Sequence, residues 1–174
     1  RNLLIFGEGF TDDTFIRRLK PVKKGAVRIG FLTLEKLDWK KDIYIAAVGV
    51  NYSDPNQMRS DILISYSDKI LLNSYRKEYE ANPNKVINTL TKEIERLMQD
   101  QLTHVREKEH APFHEQIMMI NRKGMNALNF ERSRNLKQRW QYSRKLANWI
   151  NKQHFEENSA LVKLEEDARS YFSL

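Results

Sequence analysis

The sequence predicts an α/β fold: a mixed, partly parallel sheet flanked by helices, with an all-helical C-terminal extension. Three observations predict it. Short apolar runs of strand length, Leu3-Leu4-Ile5-Phe6 and Ile43 to Val50, occupy the first half. A segment of helical period lies between them. After Tyr79 the apolar residues recur at helical spacing to the end of the chain.

The elements follow in order. Leu3 to Phe6 reads as a short buried strand, and Gly7-Glu8-Gly9 as the turn that ends it. Lys20-Pro21 opens a helix from Val22 to about Leu37, with Ala26, Ile29, Gly30 and Leu34 on one side. Ile43 to Val50 is nearly wholly apolar, as a central strand covered on both faces is. Ser53-Asp54-Pro55-Asn56 is a loop, and Ile62 to Tyr66 alternates apolar and polar like a strand nearer the edge. Asn82-Pro83 starts a helix carried by Val86, Ile87, Leu90, Ile94, Leu97, Met98 and Leu102. Pro112 opens another to about Leu128, a third runs from about Ser133 to Gln153, and a last one spans Ser159 to Phe172. The boundary between core and appendage falls between Thr103 and Pro112.

A chain of 174 residues suits one domain with an appendage. With no cysteine, it holds no disulfide, no thiolate metal site and no cysteine nucleophile. No run approaches the ~20 apolar residues of a membrane-spanning helix. The chain opens on Arg1 and enters a strand at once, which reads as a fragment whose front holds further elements. A net charge of +7 favours an anionic partner, either nucleic acid or a phospholipid surface.

The charge has a focus. Arg17, Arg18, Lys20, Lys23, Lys24 and Arg28 fall within twelve positions, the last three around a helix start whose dipole also favours anions. Helical spacing places Lys24 and Arg28 on one face. A glycine-flanked turn after a strand lets backbone N–H groups approach an anionic oxygen. Such a pocket suits a phosphate monoester.

Four blocks carry a resemblance. Ile5-Phe6-Gly7-Glu8-Gly9 is similar to the Phe-Pro-Glu-Gly-Thr-Arg-Ser motif of the phospholipid/glycerol acyltransferase family. Pro21-Val22-Lys23-Lys24-Gly25-Ala26-Val27-Arg28-Ile29-Gly30 resembles its Pro-x-Lys-x-Gly-x-x-Arg-Ile-Ala helix start. Ala46 to Tyr52 and Met58 to Tyr66 resemble its Val-Pro-Val-Gly-Ile-x-Tyr and Phe-Arg-Ser-x-Val-x-Val-x-Phe-Gly strands. The order and spacing of four blocks are far more specific than one motif. The departures are Gly7 for Pro, Phe10 for Thr, Thr11 for the phosphate-contacting Arg, and Ala47 for Pro.

The resemblance covers about the first 75 residues. It implies that residues 1–103 are the C-terminal part of an acyltransferase α/β domain and 104–174 a helical extension. It also implies acyl transfer from a thioester, acyl coenzyme A or acyl carrier protein as co-substrate, to a lysophospholipid acceptor of the 1-acylglycerol 3-phosphate type. Another lyso-lipid or an amine acceptor is the alternative within the family. Glu8, Gly9, Lys20, Lys23, Lys24 and Arg28 then bind the acceptor phosphate, with Arg17 or Arg18 standing in for the lost arginine. No cofactor or metal is required, and the place of action is the cytoplasmic face of the membrane.

The family's catalytic pair is His-x4-Asp, and none of His104, His110, His114 or His154 has Asp five places on. The pair is expected before Arg1, and the chain by itself is expected to be inactive. His110 and His114 are four apart without the His-Glu-x-x-His order, and Pro112 lies between them, so no zinc site is expected.

The helix from Ser133 bears a stripe of Leu136, Trp140, Ser143, Ala147 and Ile150, with Tyr142, Leu146 and Trp149 beside it and Arg134, Lys137, Arg144, Lys145 and Lys152 opposite. One reading packs the stripe on a core. The other lays the helix on an anionic leaflet through Trp140, Tyr142, Trp149, Arg144 and Lys145. The alternative from another class is a basic nucleic-acid- or membrane-binding module; a nucleic-acid interface would need stacking aromatics among the basic residues and a recognised motif, and nucleic acid is not an expected partner.

Overall fold

A computed structural model describes residues 2–9, 17–53, 58–127 and 135–173, the side chains of 122–127 excepted. The chain is a mixed helical and β protein of two compact units. One comprises Arg1–Phe15 and Leu19–Leu102, the other Ile16–Arg18 and Thr103–Leu174.

In the first unit, α1 (Gly25–Lys36) is followed by β1 (Tyr44–Ile45), β2 (Val48–Tyr52), β3 (Ile62–Tyr66), β4 (Ile70–Leu71), α2 (Arg76–Ala81) and α3 (Pro83–Gln101). β1 pairs with β4 and β2 with β3, both antiparallel, and Val50 faces Ile64 across the second ladder. The expected parallel pairing is not found among the described residues. For β2 and β3 the reason is connection length: 53–61 join them, fewer than the dozen or so residues a parallel crossover needs. The predicted central strand Ile43–Val50 is broken into β1 and β2. Leu3 to Phe6 has no regular secondary structure and joins no described ladder, and Leu3, Leu4 and Phe6 are 73%, 69% and 82% exposed.

The core of this unit lies between α1 and α3. α1 buries Val27, Gly30, Phe31 and Leu34. The predicted face included Ile29, which is exposed instead. The ring of Phe31 stacks on Tyr79 with centroids 4.1 Å apart, and Trp39 tilts against both. α3 begins where Asn82-Pro83 predicted. The Asn82 side chain accepts the Lys85 N–H, and Val86, Ile87, Leu90 and Ile94 are buried. At the far end of α3 the Gln101 carbonyl oxygen accepts from Asn51 Nδ2 and Ser65 Oγ, each at 2.9 Å. Gly49 faces this carbonyl with no side chain between.

The second unit packs α4 (Ala111–Ala127), α5 (Leu136–Ile150) and α6 (Ser159–Ser173). Asn135 and Gln138 form a reciprocal capping box at the start of α5. Its core holds Val105, Phe113, Ala147, Ile150 and Phe155. The part of the predicted helix before Asn135 lies outside the described residues, as do Phe10, Thr11 and Arg134. No described helix is long and apolar enough to cross a membrane.

Candidate functional site

The Gly7-Glu8-Gly9 turn is tied to the segment entering α1. Gly9 N–H donates to the Phe6 carbonyl at 3.2 Å, with Gly9 in the left-handed region at φ 78°. Lys23 N–H donates to the Gly7 carbonyl at 2.8 Å. The Glu8 carboxylate accepts the Lys20 N–H. A third bond comes from Val22 N–H to Glu95 Oε2 of α3 at 3.1 Å. Two sequence blocks that are separated along the chain therefore meet at one place.

The electrostatics there favour an anion. Lys23, Lys24 and Arg28 are exposed around the start of α1. The first turn of that helix contains no acidic residue, and its N-cap, Lys24, makes no side-chain capping bond. Arg28 N–H already returns to the Lys24 carbonyl at 3.0 Å. The positive end of the helix dipole and three cations thus share one neighbourhood. Glu8 acts on the main chain, so its oxygen Oε1 fixes the turn.

Glu8, Gly9, Lys20 and Lys23 are brought together, and Lys24 and Arg28 adjoin them on α1. Arg17 and Arg18 belong to the helical unit. Arg17 donates through Nε to the carboxylate of Glu115, and Arg18 is exposed. Reading along the chain misses both acidic partners. Glu95 is 73 residues from Val22 and Glu115 is 98 from Arg17, with no local signal to link them.

The rings of His110 and His114 have structural work in the helical unit. His114 is fully buried, with Nε2 3.1 Å from the Ser143 carbonyl and 3.3 Å from its hydroxyl. That hydroxyl lies 3.1 Å from Thr103 Oγ1. His114 Nδ1 is 3.5 Å from Glu115 Oε1. His110 Nδ1 is 3.1 Å from Glu165 Oε1, and its ring stacks on Phe155 at 3.9 Å. The carbonyl of His104 accepts from Asn151 Nδ2 at 2.8 Å. Among the described residues no group of three or more His, Cys, Asp or Glu side chains is placed to hold a metal ion.

Glu115 makes the unit sensitive to acid. Burial pushes its carboxyl up, but the bond to His114 and the charges of Arg17 and His114 outweigh that and hold it below the usual carboxylate range. A carboxyl whose pKa is lower folded than unfolded adds stability above its unfolded value and loses it as pH falls through the folded one. Thermal melts of the helical unit between pH 7 and pH 3 should therefore shift down on acidification. In Glu115→Gln that fall should be shallower. A variant whose melting temperature tracks the wild type at every pH would remove Glu115 from the account.

On α5, the stripe of Ser143, Ala147 and Ile150 is buried in the helical core, the packing alternative for this helix. Trp140 is partly buried and lies 4.8 Å from the guanidinium of Arg144. Tyr142 accepts a hydrogen bond at its hydroxyl from Asn121 Nδ2. Trp149, 42% exposed, and Lys145 lie on the open side. No family model, no curated protein and no solved structure matches this chain.

Proposed function

We propose that the full protein transfers a fatty acyl group from an acyl thioester to the free hydroxyl of 1-acylglycerol 3-phosphate, giving phosphatidic acid in phospholipid biosynthesis. This chain supplies the part of the enzyme that holds the acceptor phosphate. One observation carries the reading: the turn on Glu8 and Gly9 and the Lys20–Lys23 segment, two blocks of the family resemblance, are bonded to each other beside an uncapped, cation-flanked helix start. The ligands of the phosphate in this reading are Lys20, Lys23, Lys24, Arg28 and the N–H groups near Gly9. Glu8 keeps the turn closed.

In the reaction a base removes the proton of the acceptor hydroxyl, the oxygen bonds to the thioester carbonyl carbon, the C–S bond breaks, and the thiol leaves with a proton. The base in this reading is the histidine of a His-x4-Asp pair preceding Arg1. The four histidines of this chain lack that spacing, and the rings of His110 and His114 are engaged in the helical unit. No metal or prosthetic group enters the scheme. The exposed apolar run Leu3–Phe6 supports completion of a partly parallel sheet by a strand laid beside it. Of Trp140, Tyr142, Arg144, Lys145 and Trp149, the two that are exposed to meet an anionic leaflet on the cytoplasmic face are Lys145 and Trp149, and no nucleic acid is involved.

The test is transfer from a labelled acyl thioester to lysophosphatidic acid by the full-length protein, with this chain as control. Activity in the parent alone is the expected result. Lys23→Glu in the parent should raise the acceptor KM by about tenfold or more, since a bond to a charged group contributes about 1.5–3 kcal/mol. An unchanged KM would remove Lys23 from the site. Acylation of another lyso-lipid in place of lysophosphatidic acid would keep the chemistry and change the acceptor.

A further inference from the structure

The stretch Lys20-Pro21-Val22-Lys23 has three main-chain N–H groups, because proline has none. All three are taken. Lys20 N–H donates to the Glu8 carboxylate, Lys23 N–H to the Gly7 carbonyl at 2.8 Å, and Val22 N–H to Glu95 Oε2 at 3.1 Å. Two of these acceptors belong to the glycine turn, and the third comes from α3. Every residue named lies in the same compact unit.

One face of α3 serves both the turn and the stretch. Glu95 and Met98 are neighbours on it, three positions apart. Met98 lies beside Gly7: a Cβ added there would stand 3.4 Å from Met98 Sδ and 3.3 Å from Val22 Cγ1. Val22 is buried, so its N–H, left without an acceptor, would carry a full desolvation penalty. The other two acidic residues of α3, Glu93 and Asp100, pair with Arg96 at 2.7 and 3.0 Å. Glu95 is the one whose printed bond goes to the main chain.

We infer that Glu95 is a positioning residue for the acceptor phosphate. Through the Val22 N–H it fastens to α3 the stretch that carries Lys20 and Lys23, and it acts as an oxygen acceptor whose charge is dispensable. This rests on the acceptor-site reading above. A carboxylate beside these cations opposes an anionic ligand by charge, so fastening and charge predict opposite effects when it is removed.

Amide hydrogen exchange in the 174-residue chain tests the fastening without reference to catalysis. Glu95→Ala should speed exchange at Val22 by about tenfold or more, and at Lys20 and Lys23 by a smaller factor, through local opening. Glu95→Gln keeps an oxygen for the Val22 N–H and should stay within about threefold of the wild type. Glu93→Ala, which removes a nearby carboxylate of the same helix, should leave all three rates unchanged. Asn51 and Leu63, opposite each other in the β2–β3 ladder, should keep their rates throughout. Wild-type exchange at Val22 in Glu95→Ala would overturn the inference. So would equal acceleration at Val22 and Asn51, since the unit would then be opening as a whole.

Kinetics of the parent enzyme test the link to the acceptor. Glu95→Ala should raise the acceptor KM by about fivefold with a smaller change in kcat, and Glu95→Gln should bring it back near the wild-type value. A KM that falls in both variants would mark Glu95 as acting by charge alone. An unchanged KM in Glu95→Ala would separate α3 from the site, and either result would overturn the inference. Faster exchange at Val22 in Glu95→Ala, with no acyl transfer by the wild-type parent, would keep the fastening and discard the acyltransferase reading.

Discussion

Gly49→Ala should destabilise the α/β unit by about 3 kcal/mol or more, the scale of severe overpacking joined to the loss of buried hydrogen bonds. A methyl group built on Gly49 would lie 2.2 Å from the Gln101 carbonyl oxygen and 2.7 Å from its carbon. The obstacle is main chain, which no rotamer change can move. Relief requires β2 to part from the end of α3. The bonds from Asn51 and Ser65 to that same oxygen would then lengthen together. Gly25→Ala is the matched control, because nothing lies within 4 Å of its added methyl group. It should be neutral or stabilise by about 0.4–1 kcal/mol through the unfolded chain. Urea unfolding of both variants decides the matter. Equal midpoints for the two would mean that the Gly49 contact is easily relaxed.

Phe31→Ala should be almost as damaging. Its ring has no exposed surface, stacks on Tyr79 at an interplanar angle of 9°, and sits 6.2 Å from Trp39. Truncating a buried phenylalanine costs about 3–5 kcal/mol in lost burial and residual cavity. At about 4–8 °C per kcal/mol for a domain of this size, the melting temperature should fall by about 12 °C or more. A loss below about 1 kcal/mol would show that Tyr79 and Trp39 close over the gap.

The helices were legible because their signals are local. Asn82-Pro83 announces α3 within four residues, and the stripe of Ser143, Ala147 and Ile150 identifies the buried side of α5. The strands were less so. Ile43 to Val50 is apolar enough to read as one strand covered on both faces, but Ala46-Ala47 lies between two short ladders. Within β2, burial falls on Gly49 and Asn51, because the end of α3 needs a bare position and an amide there. Pairing direction depends on which strands lie side by side, and composition within a strand does not record that.

The site divides the same way. Glu8, Gly9, Lys20 and Lys23 stand out through their spacing, and they meet. Arg17 stands out through its charge alone, and its partner lies 98 residues away in a different unit from Lys20. Charge says that a guanidinium needs a partner, not whether the partner is a substrate or the protein's own carboxylate.

The placement of the aromatic residues has an optical consequence. The chain has three tryptophans. Trp39 packs with Phe31 and Tyr79 under the guanidinium of Arg76, 5.2 Å from its ring, while Trp140 and Trp149 both lie on α5. Trp39→Phe leaves emission from the helical unit only, and replacing the other two leaves emission from the aromatic stack only. Each unit thus carries its own fluorophore, and the order in which the two units unfold can be read from intrinsic emission without an added label.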